Sequence, residues 1–485
     1  MTETELREEH TPEPATASGH QHDRMSDTEA IMWAVEKDPA LRSDFCNLTV
    51  LGHDPDPDRL RAKIEVAIEA IERLGQRVVS APLRISPPEW VYDPSLDIDY
   101  HVRRVSVPTA KRNRASGGTD RELLDLCAHL AETPFDRGRP LWEFTVIDGL
   151  RDGRVAMLQK VHHTITDGVG GLKLSLALVD FEPDAPIPLR PEPLTTVAAT
   201  SSSPIQVTRD ALVDAANRGL DTARATVGAA AHLATHPLDL PGAIGDVARV
   251  ASSVRRQVLI TDAARSDIMT MRSLRRHFEW LDVPLDEVRG AATALGGSIN
   301  DVFVTAVAGA LGEYHAARGS EVADLRMAMP VSTRERGDAG ANRFAPMRVV
   351  VPIRPADPRA RFAATSAILR AAKGERAIDT IDRLAGLASG LPTSILVNFA
   401  RAQTRTIDFA TSNLRGSPVE LFLAGAPILG NYGFGPRTGC AVNITMMSYR
   451  GLCQLGVNLD PAAIESPSEF MTALEQSFGA LFAVA

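Results

Sequence analysis

Cysteine is scarce. The 485-residue chain has four: Cys46, Cys127, Cys440 and Cys453. No two stand in C-x-x-C spacing, so a disulfide frame and a cysteine-built zinc site are excluded. They read as ordinary buried thiols of a reducing compartment. Lysine is scarce too, supplying six of the 52 basic residues, a bias that carries no functional content. The formal charge is -9 and no basic face stands out, so nucleic acid is not an expected partner. No apolar run is long enough to span a bilayer, which leaves only peripheral membrane contact. The first 24 residues are polar and acidic. They lack the basic-then-apolar order of a secretory signal. A disordered tail at 1–24, on a cytoplasmic and unsecreted protein, is expected from this composition. No short-period repeat is present, which excludes solenoids.

What is present fits a globular protein, with 44% hydrophobic residues. The length exceeds what one core holds, so two domains or lobes are expected. Apolar spacing predicts a helix in "TEAIMWAVEKD", a strand in "FCNLTVLG" and an amphipathic helix in "DPDRLRAKIEVAIEAIERLG". Pro-rich turns break up 82–108, and "KRNRASGGTDRELLDLCAHLAETPF" supplies a loop and a helix. "LWEFTVIDGL" and "RVAMLQKVHH" flank an Arg-Asp-Gly turn and predict a hairpin. "GLKLSLALVDF" reads as a buried helix. Residues 183–204 are rich in Pro, Ser and Thr and read as a linker, followed by Ala-rich helices to about 262. Those helices fit a packed linker, or a face that meets lipid. The second half contains the helix "NDVFVTAVAGALGEYHAARG", stopped at Gly319, and the hairpin "AVNITMMSYRGLCQLGVNLD". The last helix opens at "SPSE", with Ser466 as N-cap, Pro467 at N1 and Glu469 closing a capping box. Phe470, Leu474 and Phe478 form a stripe that reads as core.

The stretch "VHHTITDGVGG" at 161–171 carries the chemistry. A strand that ends in His162-His163 sends the two rings to opposite sides. Asp167 then precedes Gly168 at a helix start, in N-cap position. Three readings are open on these residues alone. In the first, His162 is a core histidine, His163 a surface residue and Asp167 a cap. In the second the pair binds a metal, but diverging rings do not chelate, and no H-E-x-x-H or cysteine cluster completes a site. In the third, one histidine is a general base, because imidazole titrates near neutrality. The glycines would then let substrate approach the backbone.

Six blocks settle the choice by resemblance. They are "PFDRGRPLWEFTVIDGL", "KVHHTITDGVGG", "NDVFVTAVAGAL", "MPVSTRERGDAGANRF", "SNLRGSPVELFLAGAPI" and "VNITMMSYRGLCQLGVNLDP". In this order, and from Met25 to the C-terminus, the chain resembles the bacterial wax ester synthase/acyl-CoA:diacylglycerol acyltransferases. That family lies in the superfamily of chloramphenicol acetyltransferase and peptide-synthetase condensation domains.

The resemblance implies an α/β (α+β) fold of two chloramphenicol acetyltransferase-like lobes with mixed sheets and a channel between them. The lobes would be 25–185 and 275–485, joined by a Pro/Ser-rich and helical linker at 186–274. His163 is implied as the general base and His162 as a supporting residue. Asp167 is implied as structural, with Gly168 beside it, and Asn300 as an oxyanion or positioning group. The implied reaction moves a long-chain acyl group from acyl-CoA to the hydroxyl of diacylglycerol. Long-chain alcohols as acceptors, giving wax esters, or an inactive lipid-binding paralogue are the alternatives. No G-x-S-x-G elbow is present, so direct transfer without an acyl-enzyme is expected. No cofactor or metal is implied, acyl-CoA being a co-substrate. Peripheral contact with a membrane or lipid-droplet surface is expected.

Overall fold

The computed structural model describes residues 23–80, 87–108, 117–165, 174, 177–187, 264–332, 344–354, 357–374 and 393–485. The Ala-rich linker helices, Asp167 and Gly168 lie outside the described residues.

The first half runs β1 (Asp23–Arg24), α1 (Asp27–Val35), β2 (Asp44–Leu51), α2 (Pro57–Ala70), β3 (Gln76–Val79), β4 (Glu89–Tyr92), α3 (Ile98–His101), β5 (Val102–Ser106), α4 (Asp120–Glu132), β6 (Trp142–Asp148), β7 (Val155–His162) and β8 (Val179–Asp180). Local chemistry sets the helix starts. Ser26 with Glu29, and Thr119 with Glu122, form reciprocal capping boxes. Asp56 caps α2, and Pro57 at its first position needs no amide partner. The β6–β7 hairpin forms as predicted, turning through Asp152 and Gly153 at φ 60° and 69°.

The second half runs β9 (His277–Pro284), α5 (Leu285–Ala294), α6 (Ile299–Ala316), β10 (Asp324–Ser332), β11 (Phe344–Pro352), α7 (Pro358–Gly374), α8 (Thr393–Arg405), β12 (Phe409–Leu414), β13 (Phe422–Leu423), β14 (Ala426–Phe434), β15 (Val442–Tyr449), β16 (Leu452–Leu459) and α9 (Pro467–Ala483). The β15–β16 hairpin turns at Arg450-Gly451, both with positive φ.

The two large sheets are mixed. One has six strands in the order β11-β10-β12-β15-β16-β9, and its core lies against α5, α6, α7 and α9. The apolar stripe Phe470, Leu474 and Phe478 of α9 is buried there. The other has seven strands in the order β5-β6-β7-β2-β14-β13-β8. One of its two cores involves α2 (Leu60, Ile64, Ile68), and the other involves α4 (Leu123, Leu124, Cys127). A three-stranded sheet, β1-β4-β3, stands apart.

The seven-stranded sheet is not made by the first half alone. β14, from the second half, pairs antiparallel with β2, and β13 pairs with β8. The sheets cross where β14 meets β15 and β16. At the crossing a Cβ on Gly456 would run into the Gly433 carbonyl oxygen, so Gly456 needs a bare backbone.

Four local expectations differ from what is found. Asp23 and Arg24, expected in the tail, pair with Glu89 and Trp90, and Arg24 donates to Glu89 at 3.0 Å. The region 82–108, read as turns, holds β4, which pairs with the preceding β3 and with the more distant β1, and β5, which pairs with β6. The helix read over 171–181 ends by Leu178, and Val179–Asp180 joins a sheet edge. Ser466 and Pro467 open α9, but Ser466 makes no side-chain cap bond. Glu469 accepts instead from Arg318 at 2.8 Å, a charged donor that outcompetes a backbone amide. The four cysteines are free and buried, as expected.

Candidate active site

The histidine pair sits where β7 ends, opposite the start of β2. Asp44 is the register partner of His162, and Phe45 that of Val161. The two rings part as strand alternation requires. His162 is 2% exposed, with Trp33 and Phe135 edge-on at 6.3 Å. His163 is half-buried on the other side, 4.9 Å from the Phe45 ring centroid.

Both ring nitrogens of His162 are committed. The Thr164 amide donates to Nδ1 at 3.1 Å, and the Thr164 hydroxyl lies 2.7 Å from the same atom. An amide N–H can only donate, so Nδ1 is the acceptor nitrogen. The proton therefore sits on Nε2, which faces Glu36 Oε1 at 2.7 Å. A histidine bound in this way has no lone pair to offer a substrate.

The backbone around the pair is fixed as well. The His162 amide donates to Leu141 O at 3.0 Å and the His163 amide to Ser43 O at 3.1 Å. Ser43 donates its own amide to Glu36 Oε1 at 2.6 Å. Next to it, Asp44 is ion-paired with Arg276 at 2.7 Å, and both side chains are at least nine-tenths buried. Arg276 also donates its amide to Glu132 Oε1 at 2.6 Å. These contacts join β2 and α4 of the first half to the segment that leads into β9.

A cavity of about 40 Å³ lies at this junction, lined by Arg42, Glu132, Arg276, Arg437 and Asp460 among others. Its arginines are occupied, with Arg437 on Asp460 at 2.5 Å and Arg276 on Asp44. It reads as a packing gap in an ion-paired joint between the halves, not as the reaction site, since His163 does not line it.

Asn300 lies in the first turn of α6, whose cap is Ser298 with Asp301 in a capping box. Its Nδ2 faces Met329 Sδ at 3.7 Å, and its Oδ1 accepts from Asn413 Nδ2 at 3.4 Å. The neighbouring Asp301 is structural: its carboxylate accepts from the Ser298 amide at 2.8 Å and the Ser366 hydroxyl at 3.2 Å.

No cysteine suits nucleophilic work. Cys46, on β2 beside the site, has its thiol pushed up to about 12, chiefly by burial. Cys440 and Cys453 are pushed up to about 11 for the same reason. All three are neutral thiols at pH 7. Among the described residues, no group of three or more His, Cys, Asp or Glu could hold a metal ion.

Sequence reasoning missed Glu36, Ser43, Thr164, Asp44 with Arg276, and Asn413. Glu36 stands 126 residues before His162, at the end of the helix predicted in "TEAIMWAVEKD", and no local spacing points from that helix to the histidines. Asn413 falls within the quoted block "SNLRG", the one signal that could have found it.

Residues 25–303 match the wax ester synthase/diacylglycerol acyltransferase catalytic domain, and 340–482 match the C-terminal domain of the same group. The chain belongs to this family. A Mycobacterium tuberculosis relative, named "Putative diacyglycerol O-acyltransferase Rv2484c", is 34% identical over 96% of this chain and 92% of its own. A wax ester synthase/diacylglycerol acyltransferase from Marinobacter aquaeolei VT8 has the same fold, with a TM-score of 0.61 at 21% identity over 94% of this chain and 98% of its own. The first condensation domain of the calcium-dependent antibiotic synthetase matches with a TM-score of 0.56 at 16% identity over 96% of each chain. The two-lobe, chloramphenicol acetyltransferase-like fold implied by the six blocks is the fold of this family member.

Among the described residues, no single helix is long and apolar enough to cross a membrane.

Proposed function

We propose that this family member is an acyl-CoA:diacylglycerol O-acyltransferase with His163 as general base. The observation that carries the assignment is the commitment of both His162 ring nitrogens, to Thr164 and Glu36. Of the two histidines in the family motif, His163 is the one whose ring points away from that network.

In this reading His163 Nε2 takes the proton of the acceptor hydroxyl. The oxygen attacks the thioester carbonyl carbon, and the negative charge moves to the carbonyl oxygen. The tetrahedral intermediate collapses with cleavage of the C–S bond. The CoA thiolate recovers the proton from the imidazolium, leaving triacylglycerol and free CoA. Asn300 serves as oxyanion donor or positioning group. Its Nδ2 faces a thioether sulfur, a weak acceptor, and a developing oxyanion is a far better one. A lost oxyanion donor typically costs about 10²–10³ in kcat. Asp167 keeps the structural role that the motif implies, with Gly168 beside it in the sequence. Acyl-CoA is a co-substrate, and no resident cofactor is part of the reaction.

The family description names wax ester synthesis beside diacylglycerol acylation, so long-chain alcohols are the second acceptor class. Both acceptors are insoluble in water, which supports peripheral work at a membrane or lipid-droplet surface on the cytoplasmic side. The deciding assay offers labelled palmitoyl-CoA to purified protein with diacylglycerol and hexadecanol in parallel. Chromatography of the products should show labelled triacylglycerol. Labelled wax ester alone would move the assignment to the alcohol, and no ester from either acceptor would leave a lipid-binding paralogue.

A further inference from the structure

We infer that Glu36 is a positioning residue for this reaction, holding His163 in place through Ser43 on one side and His162 on the other. The inference rests on His163 being the base.

One carboxylate oxygen, Oε1, takes two hydrogen bonds: 2.6 Å from the Ser43 amide and 2.7 Å from His162 Nε2. Each donor is one link from His163. The Ser43 carbonyl accepts the His163 amide at 3.1 Å, and His162 precedes His163 in the chain. Glu36 therefore fixes both the strand opposite the base and the residue before it. It is itself anchored, being the C-cap residue of α1. That helix packs Ala34 and Val35 against Leu396 of α8, and Arg401 of α8 is ion-paired with Asp38 at 2.6 Å. The side chain of Glu36 is nine-tenths buried.

The geometry separates shape from charge. His162 accepts at Nδ1 and donates from Nε2, so its bond to Glu36 needs an acceptor at the right place rather than a full negative charge. A glutamine presents the same oxygen on the same arm. An aspartate keeps the charge but draws the oxygen back by one methylene. Displacements of about 1 Å at a reacting group can cost on the order of a hundredfold in rate.

Glu36→Gln, Glu36→Asp, Glu36→Ala and His163→Ala are compared by steady-state kinetics, with melting temperatures to confirm folding. Glu36→Gln should keep kcat within about threefold of the parent. Glu36→Asp and Glu36→Ala should lower kcat by roughly ten- to a hundredfold, with KM for acyl-CoA changed less than about twofold. A role in fold stability alone would not spare kcat in the isostere while splitting kcat from KM in the others. Should Glu36→Ala fail to fold, the Gln and Asp pair carries the comparison. A second measurement needs no variant: ¹⁵N NMR of histidine-labelled protein should show His162 as the neutral Nε2–H tautomer. The inference is overturned if Glu36→Asp retains parental kcat while His163→Ala is inactive, or if His162 carries its proton on Nδ1. If His163→Ala retains activity, the general-base reading itself fails, whatever Glu36 does.

Discussion

Arg276 Nη2 reaches Asp44 Oδ2 at 2.7 Å across 232 residues of sequence, and the pair lies beside the histidine motif. Asp44 is the register partner of His162, so this contact ties the second half of the chain to the strand that backs the site.

Breaking that pair from one side should be costly. Arg276→Met leaves Asp44 buried without its partner and should destabilise the protein by about 3–5 kcal/mol. The double variant Arg276→Met/Asp44→Leu should recover most of the loss. Chemical denaturation of the full cycle measures both effects.

The two histidines should separate by phenotype. His163→Ala should lower kcat by roughly 10²–10⁴ with little change in melting temperature. His162→Ala should lower the melting temperature, because it empties a buried volume and strands the Glu36 and Thr164 partners. Its loss in kcat should be smaller. An active His163→Ala beside a dead but folded His162→Ala would reverse the assignment.

Acid should weaken the fold through two other histidines. Burial holds His101 and His315 below the ordinary histidine value. His101 stacks on Trp142 and is bonded to its carbonyl, and His315 sits between Leu311 O and Ser266 Oγ. A folded pKa below the unfolded one means that the unfolded chain takes up protons first as pH falls. Their contribution is complete above the unfolded value of 6.5 and is lost as pH falls towards the folded values. Melting temperature measured from pH 7.5 downwards should therefore drop below about 6.5, and His315→Gln should drop less steeply.

Gly456→Ala should destabilise by about 1–3 kcal/mol or more, since its Cβ meets the Gly433 carbonyl, which belongs to the other sheet and cannot turn aside. Equilibrium unfolding provides the test, with Gly479→Ala as control because a Cβ at Gly479 meets nothing within 4 Å.

Features carried by neighbours in sequence were legible. The β6–β7 and β15–β16 hairpins, the stop of α6 near Gly319 and the core stripe of α9 follow from turn residues and apolar periods. The divergence of His162 and His163 follows from strand alternation alone. Features carried by distant partners were not. Nothing local marks Glu36 as the partner of His162, or Glu89 as the partner of Arg24. The capping box at Ser466 failed for the same reason: Glu469 meets Arg318, 151 residues away. The six family blocks reached the fold because they sample both halves at once, which no single period does.

The loan of β14 to the first sheet has a consequence for how the protein is made. Asn47 of β2 bonds to Asn431 of β14 across 384 residues. During synthesis β2 can pair with β7 on one edge, but its other edge has no partner until nearly the whole chain has left the ribosome. For that interval the nascent lobe carries an open strand edge, the feature that recruits foreign strands. The lobe that bears the histidines is begun first and finished late, so truncation near the C-terminus should injure the N-terminal sheet.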